Sequence, residues 1–165
     1  LAKPRCIMIE YKCEICGHIV EVLHGGGGEL ACCGQPMVQL VENTVDAAKE
    51  KHVPVIEAPD EVTAGELFEV KVSLGKEIAH PNTTEHHISW ITLYFHPEGQ
   101  KFTHQVGHFE FSAHGESVAG PNEGPVYTHH EVTASLKVSK SGTLHALALC
   151  NIHGLWESSK EVKAS

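Results

Sequence analysis

Between residues 67 and 74 apolar and polar side chains alternate, with Phe68, Val70, Val72 and Leu74 on one face and Glu69, Lys71 and Ser73 on the other. A period of two predicts a half-buried β-strand. Residues 88–95 form an apolar and aromatic run, and 105–111, 126–138 and 143–150 also read as strands or strand pairs. Gly65, Gly75, Pro81, Pro97-Glu98-Gly99, Pro121-Asn122-Glu123-Gly124-Pro125 and Ser141-Gly142 punctuate these runs. Short strands separated by such turns predict an antiparallel sandwich. Upstream, Ala47-Ala48-Lys49-Glu50-Lys51 has helix propensity, but Pro54 stops any helix by residue 53. No helical stripe of useful length follows residue 55, so the fold is expected to be mainly β.

The first forty residues carry a different signal. Cys13-x-x-Cys16 is followed by glycines at 25–28 and then by Cys32-Cys33-Gly34. Two thiols stand at each end of a loop that one ion can close, and four thiolates in a tetrahedron suit zinc or a single iron. A segment this short buries little core, so metal binding is expected to supply its folding energy. Two domains follow: a metal module with a short leader over 1–41, and a β domain over 42–165 that opens with a connector.

Composition narrows the function. The chain has 165 residues and 41% hydrophobic content, enough for one real core and a small satellite. With 12 basic and 21 acidic residues, its net charge of −9 argues against general nucleic-acid binding. No apolar run approaches the roughly 18 residues of a membrane span, and 1–5 lead into no signal-type segment. A cytoplasmic protein is expected. The clustering of four of the 6 cysteines favours metal ligation in a reducing compartment over disulfides.

The chain also holds 14 histidines. Most carry no spacing argument and read as surface or satisfied core residues. Three segments stand out: Glu50-Lys51-His52-Val53-Pro54, the stretch from His80-Pro81 to Glu85-His86-His87, and Leu149-Cys150-Asn151-Ile152-His153-Gly154-Leu155-Trp156. Thiolate and imidazole together suit iron, copper or zinc. A sandwich gathers distant loops at one end, where such ligands can converge, and Pro54 and Pro81 stiffen the backbone beside two of them. As strand neighbours, His86 and His87 would point to opposite faces, so one of the two is expected at the metal. Trp90 and Trp156 read as core or as walls of the site.

Together these motifs resemble the superoxide reductase family. Cys13-x-x-Cys16 with Cys32-Cys33 is similar to the desulforedoxin-like module of desulfoferrodoxin. The segments around His52, His80, His86 and Cys150 are similar to desulfoferrodoxin and neelaredoxin, the long insertion containing Ala113-His114-Gly115 being closer to neelaredoxin. The resemblance covers roughly residues 10–160. It implies an immunoglobulin-like β-sandwich and a non-haem ferrous site with His52, His80, His86 and His153 as ligands and Cys150 as axial thiolate. It selects His86 over His87, and it places a second iron, with zinc as a possible substitute, on Cys13, Cys16, Cys32 and Cys33. Cys6 matches nothing in it and reads as a free thiol.

The implied reaction is one-electron reduction of superoxide to hydrogen peroxide without oxygen production, a defence against oxidative stress. Lys51, which from its own residue type would read as a surface charge, would draw in superoxide and supply a proton. Glu50 would close the sixth position of the ferric form. Rubredoxin or a similar small carrier would donate electrons, and a homodimer or higher homo-oligomer is expected. Three rivals use related parts: a dismutase, a pure electron carrier, and a blue-copper-like carrier. The last needs an axial methionine by preference, and Met8 and Met37 both lie far from Cys150 in sequence.

Overall fold

The computed structural model describes residues 9–23, 25–40, 49–115, 120 and 123–165. The expected domain join near residue 41 and the leader containing Cys6 lie outside them.

Five short strands build the N-terminal region: β1 (Ile9–Lys12), β2 (Ile19–Val22), β3 (Ala31–Cys32), β4 (Gln35–Pro36) and β5 (Val38–Leu40). β1 lies antiparallel between β2 and β5, while β3 and β4 make a separate hairpin. The hairpin turns on Cys33 and Gly34, both at positive φ (51° and 77°), as a two-residue turn matched to strand twist requires. This turn ends the strand alternation, so the side chains of Cys32 and Cys33 are not forced to opposite faces.

The remainder contains α1 (Lys49–His52), β6 (Val55–Glu57), β7 (Glu61–Val62), β8 (Phe68–Ser73), β9 (Ile88–Pro97), β10 (His104–Glu110), β11 (Glu131–Leu136), β12 (Gly142–Cys150) and β13 (Gly154–Ala164). The short helix stops ahead of Pro54, as expected. One sheet has the order β11-β8-β6, and the other β10-β9-β12-β13-β7, antiparallel except where β7 joins β13. The apolar face predicted for β8 is realised, with Phe68, Val70, Val72 and Leu74 buried, while Ser73 of the polar face is buried as well. The four apolar residues form one core cluster with Ile91, Leu93, Leu144, Ala146 and Trp156 of the larger sheet. The fold is thus mainly β, in several sheets, with its core drawn from both of the larger ones.

The other face of the five-stranded sheet carries Tyr94, Leu147 and Leu155, with Leu40 of β5 packed on them. There the Tyr94 hydroxyl donates to the Glu21 carboxylate, tying the N-terminal strands to the sheet. Trp90 packs on this face beside His108, away from the core.

Two expectations shift. The strand expected over 126–138 begins only at Glu131, because Thr128 gives both its N–H and its hydroxyl to the Ala113 carbonyl (2.6 and 2.7 Å) and holds the preceding segment in a loop. The longest strand, β13, has no counterpart among the runs predicted. Its Glu157-Ser158-Ser159-Lys160-Glu161 stretch reads as polar, and it is held by pairing with β12 over residues 154–162.

Candidate metal centres

Three connections at one end of the larger sheets carry the candidate ligands. His52 closes α1, His80 and His86 lie between β8 and β9, and Cys150 ends β12 with His153 in the turn to β13. Register brings them together: Cys150 pairs with Ile88 at the start of β9 and with Gly154 across its own hairpin. Gly154 takes a φ of 82° that returns the chain into β13.

The donor atoms of His52, His86, Cys150 and His153 all lie within 4.8 Å of one another. His80 completes a ring of four imidazoles. Centroid separations around it are 4.9 Å (His52–His80), 4.7 Å (His80–His86), 4.9 Å (His86–His153) and 4.7 Å (His153–His52), with a 6.4 Å diagonal from His52 to His86. That is nearly a square. Half its diagonal, ~3.2 Å, equals a metal–nitrogen bond of ~2.1 Å plus the radius of an imidazole ring. His52 Nε2 and His153 Nδ1 stand 3.1 Å apart, and two nitrogens bound at right angles to one ion would be separated by ~3.0 Å. The Cys150 sulfur lies 3.6 Å from His153 Nδ1 and accepts the backbone N–H of His153 at 3.4 Å.

The chemistry of the donors fits a metal. His80 donates Nδ1–H to the Pro81 carbonyl (2.7 Å), which leaves Nε2 as a bare lone pair. That Nε2 and the Nε2 of His86 are buried without a hydrogen-bond partner. Burial pushes His80 down to about 3; the Pro81 carbonyl opposes the shift, and His52, His86 and His130 add to it. His86 is lowered as well, first by burial and then by His153, His52 and the charge of Lys51. Two buried imidazole nitrogens with unused lone pairs, beside the clustered donors of His52, Cys150 and His153, suit a cation. Imidazoles with a thiolate suit non-haem iron, so the donor set is consistent with a catalytic iron centre.

Neighbours fix the ligands. Trp156 stacks on His52 at 4.7 Å and 17°. Asn151 staples the two ligand-bearing loops: its side chain donates to the Glu85 carbonyl (2.9 Å) and accepts from the His87 N–H (2.9 Å). Its own N–H donates to the His87 carbonyl (3.1 Å). His86 and His87 precede β9 rather than lying in it, so strand alternation is not what separates them. His87 instead donates Nδ1–H to the Thr83 carbonyl (2.9 Å) and stacks on His114 at 3.6 Å. Sequence reasoning gave Asn151, His114 and His130 no role. Asn151 lay inside a recognised motif, whereas the two histidines had no spacing signal.

Cys13, Cys16, Cys32 and Cys33 form the second cluster, all four sulfurs within 4.8 Å. The Cys16–Cys32 and Cys32–Cys33 separations are 3.6 and 3.9 Å. Sulfurs at ~2.3 Å from one ion, at tetrahedral corners, stand ~3.8 Å apart. Without a cation the four cannot share negative charge. Cys13 is lowered to about 6, chiefly by the Cys16 backbone N–H, while the neighbouring Cys16 sulfur is the main cause that pushes Cys32 up to about 12 and also raises Cys33.

Lys51 precedes His52 in α1 and is half-buried. Glu50 is in the same turn of helix, and its side chain lies outside the described residues. A surface cleft of about 570 Å³ lies between β10 and β11 and contains none of the metal-site residues. No helix among the described residues is long and apolar enough to cross a membrane.

A mainly β protein with one imidazole–thiolate centre and one four-thiolate centre is a non-haem metalloprotein. The family model for desulfoferrodoxin matches residues 44–159, and that for the desulfoferrodoxin N-terminal domain matches 8–40. The chain belongs to the desulfoferrodoxin family. It is 66% identical to neelaredoxin of Megalodesulfovibrio gigas over 72% of this chain and 92% of that one. With desulfoferrodoxin of Syntrophotalea carbinolica it shares 43% identity over 90% of this chain and 93% of that one. The structure of superoxide reductase (neelaredoxin) from Archaeoglobus fulgidus superposes with a TM-score of 0.64 at 55% identity, covering 74% of this chain and 98% of that one.

Proposed function

We propose that this chain is a superoxide reductase, converting superoxide to hydrogen peroxide by one electron and two protons, with no oxygen formed. The observation that carries this is the near-square of four imidazoles beside a buried cysteine sulfur. His52, His80, His86, His153 and Cys150 would hold the iron. Iron held by these residues would supply the electron to superoxide.

The remaining work falls to the chain. The Cys150 thiolate, steadied by the His153 N–H, pushes electron density toward the metal position, as thiolate ligands do in haem enzymes. Superoxide is an anion and the chain carries −9, so attraction must be local. Lys51 supplies that attraction and a proton, and its charge is already felt at His86. Glu50 would supply the carboxylate that closes the site in the oxidised form. A diatomic substrate needs no large pocket, which agrees with the wide cleft lying elsewhere.

The larger unit, residues 42–165, is an immunoglobulin-like sandwich, and 1–41 is a desulforedoxin-like module whose four cysteines hold a second iron or a substituted zinc. A cytoplasmic protein, a homo-oligomer, and a rubredoxin-like donor complete the reading. Anaerobic dosing of the reduced, iron-assayed protein with superoxide tests it. One peroxide per superoxide and no oxygen is expected. Half a peroxide with matching oxygen would make it a dismutase, and no acceleration over buffer would leave an electron carrier.

A further inference from the structure

We propose that His18 raises the reduction potential of the four-cysteine iron by donating its Nδ1–H to the Cys16 sulfur. The inference rests on the reading that Cys13, Cys16, Cys32 and Cys33 hold iron. His18 Nδ1 lies 3.1 Å from Cys16 Sγ. The contact is built into the ligand turn: the Cys13 N–H donates to the His18 carbonyl at 2.8 Å, and the Gly17 N–H to the Cys13 carbonyl at 2.9 Å, with Gly17 at a φ of 80°. These bonds hold the His18 backbone against the Cys13–Cys16 loop, where its exposed ring meets the Cys16 sulfur.

A metal-bound thiolate has no proton to give. At 3.1 Å the contact is attractive only if the imidazole carries its proton on Nδ1 and donates. Hydrogen bonds to the sulfurs are among the factors, with net charge and solvent exposure, that set the potentials of iron–thiolate sites. The reduced site carries one more negative charge, spread over its sulfurs, so a donor stabilises it more than the oxidised site and the potential rises. Cys16 and Cys33 are the exposed members of the four. The tuned sulfur is therefore on the edge that an external electron carrier can approach.

The test uses the full-length protein with both centres iron-loaded, titrated anaerobically through its thiolate-to-iron absorption at pH ~8.5, where free imidazole is neutral. His18→Phe keeps a ring and removes the donor; His18→Asn returns an amide N–H to the position of Nδ1. At a fixed solution potential, His18→Phe is expected to lower the reduced-to-oxidised ratio of this centre about tenfold, or ~59 mV for one electron. His18→Asn should restore most of it, with the imidazole–thiolate centre unmoved in both. Unchanged ratios, or equal shifts in Phe and Asn variants, would overturn the role of the hydrogen bond. Wild-type protein that retains no iron at these cysteines would overturn the iron reading and the inference with it, an outcome that iron counting separates from the others.

Discussion

In the N-terminal module the strands are two to four residues long and Cys16 and Cys33 are exposed. At the other centre β9, β12 and β13 run 10, 9 and 11 residues, and His52, His80 and Cys150 are 1%, 4% and 1% exposed. The sulfur cluster is the module's own organising contact: four thiols that repel as thiolates are pulled together only by a cation. The imidazole ring is placed by a hydrophobic core that exists without it, and burial already holds His80 neutral and ready to ligate. The first metal is expected to be needed for folding, whereas the second site is preformed and its metal can be removed without loss of the fold.

The widest separation of the two regions should come from metal removal. Structural metal binding in small cysteine modules is worth roughly 10–16 kcal/mol. Strong chelation under reducing conditions should therefore erase amide protection over residues 9–40 while β8, β9 and β12 keep theirs. Equal loss in both regions would break the comparison.

A smaller effect is expected at Gly75. Its φ is +68°, and an added Cβ would stand 2.5 Å from the His80 backbone nitrogen. Gly75→Ala should cost about 1–3 kcal/mol through that strain, and by displacing His80 should lower iron occupancy of the imidazole–thiolate centre. Iron at the four cysteines should be unaffected, which metal analysis with visible spectroscopy reads directly.

The smallest effect concerns pH. Burial, with a contribution from His96, lowers His145 to about 4, against ~6.5 for an unfolded histidine. Between those values the unfolded chain takes up a proton that the folded one refuses, so this group's contribution is intact above ~6.5 and is lost as pH falls toward about 4. Denaturant midpoints for wild type should fall over that window. In His145→Phe the fall should be shallower, with His130, also lowered to about 4 by burial, sustaining the rest. Identical slopes would remove His145 from the account.

Much of this was legible along the chain, for identifiable reasons. The alternation of β8, the apolar runs of β9 and β12 and the stop at Pro54 are local signals, and they gave the mainly β frame. Paired cysteines at short spacing gave the sulfur cluster. The candidate imidazole ligands are spread from His52 to His153, and only the motif resemblance joined them. β13 was missed because its burial rests on Leu155, Trp156 and Val162 and its pairing on β12, neither of which is a periodic pattern. His18, Asn151 and His114 act through contacts set by turns and loop packing, which composition does not encode.

The central claim is that superoxide meets the imidazole–thiolate iron and not the four-thiolate iron. Fully reduced protein given less than one equivalent of superoxide, followed by rapid-scan absorption, tests it most directly. The expected result is immediate oxidation signals from the imidazole–thiolate centre, with the four-thiolate centre still reduced in the first spectra. Prior or exclusive oxidation of the four-thiolate centre would contradict the account.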